Sequence, residues 1–258
     1  MGIPKSMPFC TFWKIAIFSR FTGSFLESMS SGKPFKDLIP PLIPEILDTL
    51  QEMTFTTATP VQGAVIPYFL SHKDVNASAC TGSGKTLSFL IPMFQILAKS
   101  ESCNKPGEIG GIIISPTREL ALQTFSVAQK FESHLPNIRV VLLTGGNEVA
   151  DDLKQLQSDK CLIIIATPGR LKDIMERQGE RFAVRNLEVL ILDEADVLLV
   201  GAFSIRCVIL RTLDILKQSV QLLVSCRNNV EQDYSVLRRR MELQLCAEQV
   251  FEIPSKSK

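Results

Sequence analysis

The chain has 258 residues, with Lys+Arg 28 against Asp+Glu 27, a net charge of +1 and 45% hydrophobic residues. That hydrophobic share supports a buried core of domain size, and the balanced charge excludes a general basic field as the means of holding nucleic acid, so any such role has to rest on local motifs. The cysteines number seven, are scattered and include no C-x-x-C pair, which argues against a disulfide framework or a zinc site and for a reducing compartment. No apolar run is long enough to span a bilayer.

Residues 1–28 read as an N-terminal extension. Lys5, Lys14 and Arg20 precede the first acid, Glu27, and the segment is rich in aromatics between Phe9 and Phe18. An acid-poor basic start fits a mitochondrial presequence. The alternative is that Met29, opening Met-Ser-Ser-Gly-Lys-Pro-Phe, is a natural start and what precedes it is an isoform-specific or non-native stretch.

Residues 29–70 form a lead-in region. Within Phe35–Met53, Leu42, Ile46, Leu47 and Leu50 recur at helical spacing, with Pro44 where a first helical turn tolerates it. A second helix is predicted through Ala64–Leu70, with Thr59 as cap and Pro60 at its first position. Gln62, at its start, carries an amide that can both donate to and accept from an adenine edge.

The main domain is predicted over 71–232. Ala77–Thr86, Ala-Ser-Ala-Cys-Thr-Gly-Ser-Gly-Lys-Thr, reads as a phosphate cradle between a strand and a helix of roughly Lys85–Leu97. In Thr81-Gly82-Ser83-Gly84-Lys85-Thr86 the glycines let backbone N–H groups turn onto phosphates, Lys85 reaches the β and γ oxygens, and the Thr86 hydroxyl can ligate Mg²⁺. The general pattern has Gly where this chain has Ala79, a variant associated with superfamily-2 helicases. Cys80, inside the cradle, reads as a small residue in a tight turn or as a reactive thiol.

Beyond the cradle, apolar runs at Ile112–Ser115, Val140–Leu143, Leu162–Ala166, Val189–Leu192 and Gln221–Ser225 alternate with helical stretches. Such runs are how strands covered on both faces read, so the fold class is α/β, with a doubly wound, mostly parallel sheet and chemistry gathered at the carboxyl ends of its strands. Val189–Leu192 ends in Asp193-Glu194, where Asp193 can hold Mg²⁺ and Glu194 can orient or deprotonate an attacking water.

Thr59-Pro60-Val61-Gln62, Ala79–Thr86, Pro116-Thr117-Arg118-Glu119-Leu120-Ala121, Gly145-Gly146, Thr167-Pro168-Gly169-Arg170 and Asp193-Glu194-Ala195-Asp196 occur in the order of the DEAD-box RNA helicases, which the chain resembles over roughly Phe35–Val236. The wording is most similar to the subgroup acting in large-ribosomal-subunit assembly. The resemblance implies a RecA-like P-loop NTPase lobe that binds ATP and Mg²⁺ and works on RNA. It implies that Phe35 and Gln62 sandwich and read adenine, that Lys85 and Thr86 hold phosphates and metal, and that Asp193 and Glu194 serve metal and water. It further implies that Pro116, Thr117, Arg118 and Glu119, Gly145 and Gly146, and Thr167, Pro168, Gly169 and Arg170 grip the RNA backbone. Free N–H groups, a Thr hydroxyl and an Arg suit phosphate and read no base.

The chain departs from the family at its end. The family has Ser-Ala-Thr after the last strand, with hydroxyls tied to the last Asp of the acidic block, here Asp196; this chain has Ser225-Cys226-Arg227. Arg227 beside Asp196 would replace that coupling with an ion pair. Val200-Gly201-Ala202-Phe203 drifts as well, and the tail 233–258, with Arg238-Arg239-Arg240 read as a solvated face, is expected to be too short for a second helicase lobe with its arginine finger. The expected partners are RNA and pre-ribosomal particles, with no membrane. The expected location is the nucleus or nucleolus, with mitochondria as the alternative should residues 1–28 be a presequence.

Overall fold

The computed structural model describes residues 15–17, 32–79, 81–101, 107–146, 148–179, 182, 184, 186–200 and 221–226. A 3-10 turn, Phe35–Asp37, leads to α1, Pro44–Glu52, and α2, Pro60–Leu70. β2 (Val75–Ser78), α3 (Lys85–Lys99), β3 (Ile109–Ile114), α4 (Arg118–His134), β4 (Ile138–Leu143), α5 (Val149–Gln155), β5 (Cys161–Ala166), α6 (Pro168–Gln178), β6 (Val189–Leu192), α7 (Ala195–Val200) and β7 (Gln221–Cys226) follow, and β1, Ile15–Ile17, lies within the N-terminal extension. Among the described residues, no helix is long and apolar enough to cross a membrane.

The sheet runs β1-β2-β7-β6-β3-β5-β4. β1 is antiparallel to β2, and every other pairing is parallel. Because side chains alternate across a strand, β3, β4, β5 and β6 each feed two cores. Ile113, Ile163, Ile165, Val189 and Ile191 pack with α1, α2, α3 and α4 on one face; Ile112, Ile114, Ile164, Leu190 and Leu192 pack with α6 and α7 on the other. Burial on both faces explains the unbroken apolar runs. Phe94 and Phe131 stack at 5.1 Å between ring centroids and lock α3 to α4.

The helical spacing of Leu42, Ile46 and Leu50 is realised only from Pro44 onward, with Leu42 buried ahead of the helix. Residues 38–43 are held instead by Gln95 of α3, buried in the core: its Nε2 donates to Pro41 O at 2.8 Å and its Oε1 accepts from Ile43 N at 2.9 Å. One correction concerns the cysteines. Cys161, fully buried at the start of β5, is disulfide-bonded, where the scattered spacing suggested thiols.

Gln95→Leu keeps the volume but removes the partner of two part-buried backbone groups, so a loss of about 1–3 kcal/mol is expected in urea unfolding. A change below about 0.5 kcal/mol would show that the lead-in segment is held by apolar packing alone.

Candidate functional site

β2 delivers the chain to the carboxyl edge, and the turn to α3 needs left-handed backbone at Gly82, φ +80, and Gly84, φ +89. Glycine takes this conformation without the steric cost of a Cβ. The first backbone bond inside α3 runs from Ser88 N to Gly84 O, 3.2 Å, so the amides of Lys85, Thr86 and Leu87 have no carbonyl within the helix and form its positive pole. Ser83 Oγ is buried in the same turn without a partner, and Lys85 Nζ donates back to Ala79 O. This cradle fits a polyphosphate: helix-start amides, a buried hydroxyl without a partner at Ser83 and a lysine already folded over the loop.

The lead-in region packs directly on the cradle. Thr59 Oγ1 accepts from Gln62 N at 3.4 Å while Gln62 Oε1 accepts from Thr59 N at 2.9 Å, a reciprocal capping box at the start of α2. Gln62 Nε2 then donates to Gly84 O at 3.0 Å. A Cβ at Gly84 would stand 2.5 Å from that nitrogen. The Gln62 amide therefore ties the start of α2 to the phosphate turn, with one lone pair and one proton left for a ligand. Phe35 corrects the reading from sequence: it is 2% exposed and packed in the core, so its ring offers no open face to a base.

Asp193 and Glu194 follow β6, both buried. Glu194 has φ +49, an uncommon conformation for a side chain larger than glycine and a source of strain of about 1–3 kcal/mol. Burial, and after it the Glu194 charge, pushes the Asp193 carboxyl up to about 6, while the Ser225 hydroxyl, the Lys85 charge and the Glu194 backbone pull it down. Ser225 is a second correction. The register Leu192↔Val224 sets it beside Asp193, the first acid of the block, where the family pattern implied Asp196. Its buried Oγ is near enough to favour the Asp193 charge yet outside regular hydrogen-bond geometry. Arg227 and Cys80 lie outside the described residues. An Asp carboxylate and a Thr hydroxyl are the hard oxygen donors that Mg²⁺ takes, so Asp193 and Thr86 fit that ion.

The other expected blocks gather at the ends of β3, β4 and β5. Thr117 caps α4, accepting from Leu120 N at 3.3 Å, and Arg118 and Glu119 are exposed in its first turn, with Pro116 half-buried before them. A Cβ at Gly145 would lie 2.7 Å from Arg118 Nη2, and one at Gly146, φ +111, 3.1 Å from Nη1. The paired glycines make room for the Arg118 guanidinium. Thr167 N donates to Leu143 O at 3.1 Å, Pro168 opens α6, and Gly169 is exposed. Arg170 is the third correction. Its side chain is buried against Asp152 and Thr144 rather than turned to solvent. Asp152 and Thr144 were missed from the sequence, where nothing distinguished them from ordinary helix and loop residues.

A family profile described as DEAD/DEAH box helicase matches residues 59–233. The DEAD-box ATP-dependent RNA helicase 18 of Arabidopsis thaliana is 52% identical over 171 residues, which cover 66% of this chain and 29% of that protein. The human ATP-dependent RNA helicase DDX55 is 44% identical over 183 residues, covering 69% of this chain and 30% of its own length. The chain thus spans about a third or less of these curated relatives. Among solved structures, Mss116p bound to ssRNA and AMP-PNP aligns with a TM-score of 0.72 at 30% identity, over 82% of this chain and 44% of that one.

Gly84→Ala is expected to weaken nucleotide binding by roughly tenfold or more, since the new methyl strains a left-handed position and displaces Gln62. Titration with a fluorescent ATP analogue checks it, and unchanged affinity would break the link between α2 and the cradle. For Asp193, a raised carboxyl pKa means that the folded state binds its proton more tightly than the unfolded state does. The associated stability is present below pH 3.8 and is lost as pH rises through about 6. Asp193→Asn should therefore stabilise the metal-free chain at neutral pH by roughly 3 kcal/mol, with the gain vanishing near pH 4. Equal urea midpoints for the two proteins at both pH values would contradict that sign.

Proposed function

We propose, since this chain belongs to the DEAD/DEAH box helicase family, that it is the ATP- and RNA-binding lobe of an ATP-dependent RNA helicase. The observation that carries the reading is the placement on one sheet edge of a phosphate cradle backed by buried carboxylates and, strands away, turns with glycines, an exposed Arg118 and helix-start amides. When bound, ATP with Mg²⁺ supplies the phosphoryl group and the charge neutralisation that its transfer requires.

The chain's own residues then divide the work. Amides of Lys85, Thr86 and Leu87 receive phosphate oxygens, with Thr81, Gly82 and Ser83 forming the turn around them. Lys85 releases Ala79 O to neutralise charge, Thr86 and Asp193 present oxygens to the metal, and Glu194 orients water. Thr59 and Pro60 fix the start of α2 so that the remaining hydrogen-bonding capacity of Gln62 faces adenine. Arg118 and the Gly145-Gly146 and Thr167–Gly169 turns take the RNA backbone without reading bases. Ser225, beside Asp193, joins hydrolysis to RNA engagement. Strand separation is the work of this lobe together with a second one, whose arginine finger typically contributes about 10³–10⁵ in rate. The subgroup resemblance supports a role in ribosome biogenesis on pre-ribosomal particles, hence a nuclear or nucleolar location, with mitochondria the alternative if residues 1–28 act as a presequence.

A binding-only reading, in which the chain holds adenine nucleotide and RNA or protein partners with little turnover, is favoured by Ser225-Cys226-Arg227 in place of Ser-Ala-Thr. The experiment is ATP hydrolysis by the purified chain with and without single-stranded RNA, with Lys85→Ala as the blank. Slow RNA-stimulated turnover above the blank is expected. Nucleotide binding without turnover supports the binding-only reading, and hydrolysis indifferent to RNA would indicate a different P-loop ATPase. Lys85→Ala should abolish nucleotide binding, and full affinity in that variant would sink the cradle assignment.

A further inference from the structure

Two arginines stand at corresponding places on neighbouring turns, and the structure separates their tasks. Arg118 is exposed at the first position of α4, its guanidinium over Gly145 and Gly146. Arg170 is in the first turn of α6, but its side chain is only 6% exposed. Its Nε carries one proton, which points to Thr144 O at 3.2 Å. The Asp152 carboxylate lies 2.7 Å from the same nitrogen, with its own side chain 0% exposed on α5. The carboxylate oxygens take no hydrogen bond of regular geometry from it, so charge against charge leads the interaction, with a weaker hydrogen-bonding contribution from Arg170 beside it. In a dry site either charge left alone is costly, and each therefore holds the other in place.

The connectivity gives this pair a reach. Thr144 immediately precedes Gly145-Gly146, Asp152 lies on the helix that follows them, and Arg170 closes the Thr167-Pro168-Gly169 turn. Thr144 itself is buried. The guanidinium thus joins, from beneath, two turns whose upper surfaces are open. A guanidinium paired with a carboxylate at ion-pair distance also projects little net charge outward.

We propose that Arg170 is a positioning residue: the buried Asp152–Arg170 pair, clamped on Thr144 O, holds the Gly145-Gly146 and Thr167–Gly169 turns at one spacing for the RNA backbone, and Arg170 touches no phosphate. This rests on the RNA-binding reading of those turns. Phosphate binding falls to Arg118 and to the amides of the turns themselves.

The test is the affinity of the full chain for a fluorescent single-stranded RNA across a salt titration. Removing one cation that neutralises a phosphate of single-stranded RNA lowers the slope of log affinity against log salt by about 0.7. Arg118→Gln should show that change. Arg170→Gln and Asp152→Asn should each weaken binding by roughly tenfold with the slope unaltered, and the double variant should be no weaker than the worse single one. If Asp152→Asn binds RNA as tightly as the parent or tighter, or if Arg170→Gln lowers the slope, the positioning role is wrong. Should the variants fail to fold, the Nε–H resonances of the unaltered chain decide. Addition of RNA should shift that of Arg118 and leave that of Arg170 unmoved and slow to exchange, and a shifted Arg170 signal overturns the proposal. A parent chain with no salt-dependent RNA binding, and no effect of Arg118→Gln, would instead overturn the RNA reading, and the positioning role with it.

Discussion

A line of backbone hydrogen bonds along the carboxyl edge of the sheet holds both halves of the site to one frame. Asp193 N donates to Ile114 O at 2.9 Å, Ser115 N to Ala166 O at 3.0 Å, and Thr167 N to Leu143 O at 3.1 Å. Each bond belongs to the last step of a strand, so the turn that follows inherits the strand's position. The acidic pair after β6 is in this way locked to the turn after β3, that turn to the one after β5, and that one to β4. A parallel sheet with both faces buried is stiff against sliding, since a change of register would move apolar side chains from one core to the other. The line is therefore a rigid bar rather than a hinge, and a displacement at Asp193 is shared with the turns after β3, β4 and β5 through backbone atoms alone.

Upon that bar the chain stores local strain where chemistry is expected. Glu194 sits at positive φ, Asp193 is buried with its carboxyl raised toward neutrality, and Ser83 Oγ and Ser225 Oγ are buried without regular partners. Each is unfavourable for folding by itself, and under the proposed reading phosphates and a divalent cation relieve those at Asp193 and Ser83. A cation near Asp193 favours the ionised carboxylate, and a phosphate gives the Ser83 hydroxyl a partner. The cores on either face, filled largely by isoleucine and leucine from β3, β4, β5 and β6, hold these groups in place.

Much of this was legible in the sequence, for identifiable reasons. Strands buried on both faces advertise themselves as apolar runs, and Thr59-Pro60 and the glycines at 82 and 84 announce a helix start and a phosphate turn through backbone demands that few other residues meet. The reciprocal capping box was also readable, since Thr59 and Gln62 stand at its spacing, although the amide had been given wholly to adenine. Arg170 and Asp152 were not readable. An arginine after Thr-Pro-Gly looks the same whether it faces solvent or the interior, and its direction is decided by an acid eighteen residues earlier, on a helix whose packing no local pattern reveals. Phe35 failed for a similar reason: an aromatic next to an adenine-reading motif can stack on a base or fill a core, and burial alone separates the two.

Under the proposed reading, Gln62 is where adenine recognition would meet phosphate binding. Its Nε2 holds Gly84 O, the carbonyl that also accepts the first backbone bond of α3 from Ser88 N. Any ligand that draws the Gln62 amide toward itself also pulls on the residue that orients the phosphate-facing amides. Under the proposed reading, adenine takes the lone pair and proton that Gln62 does not spend on Thr59 N and Gly84 O, so base and phosphate turn share one side chain. Base contact and phosphate contact would then be coupled through a hydrogen bond that already exists within the chain.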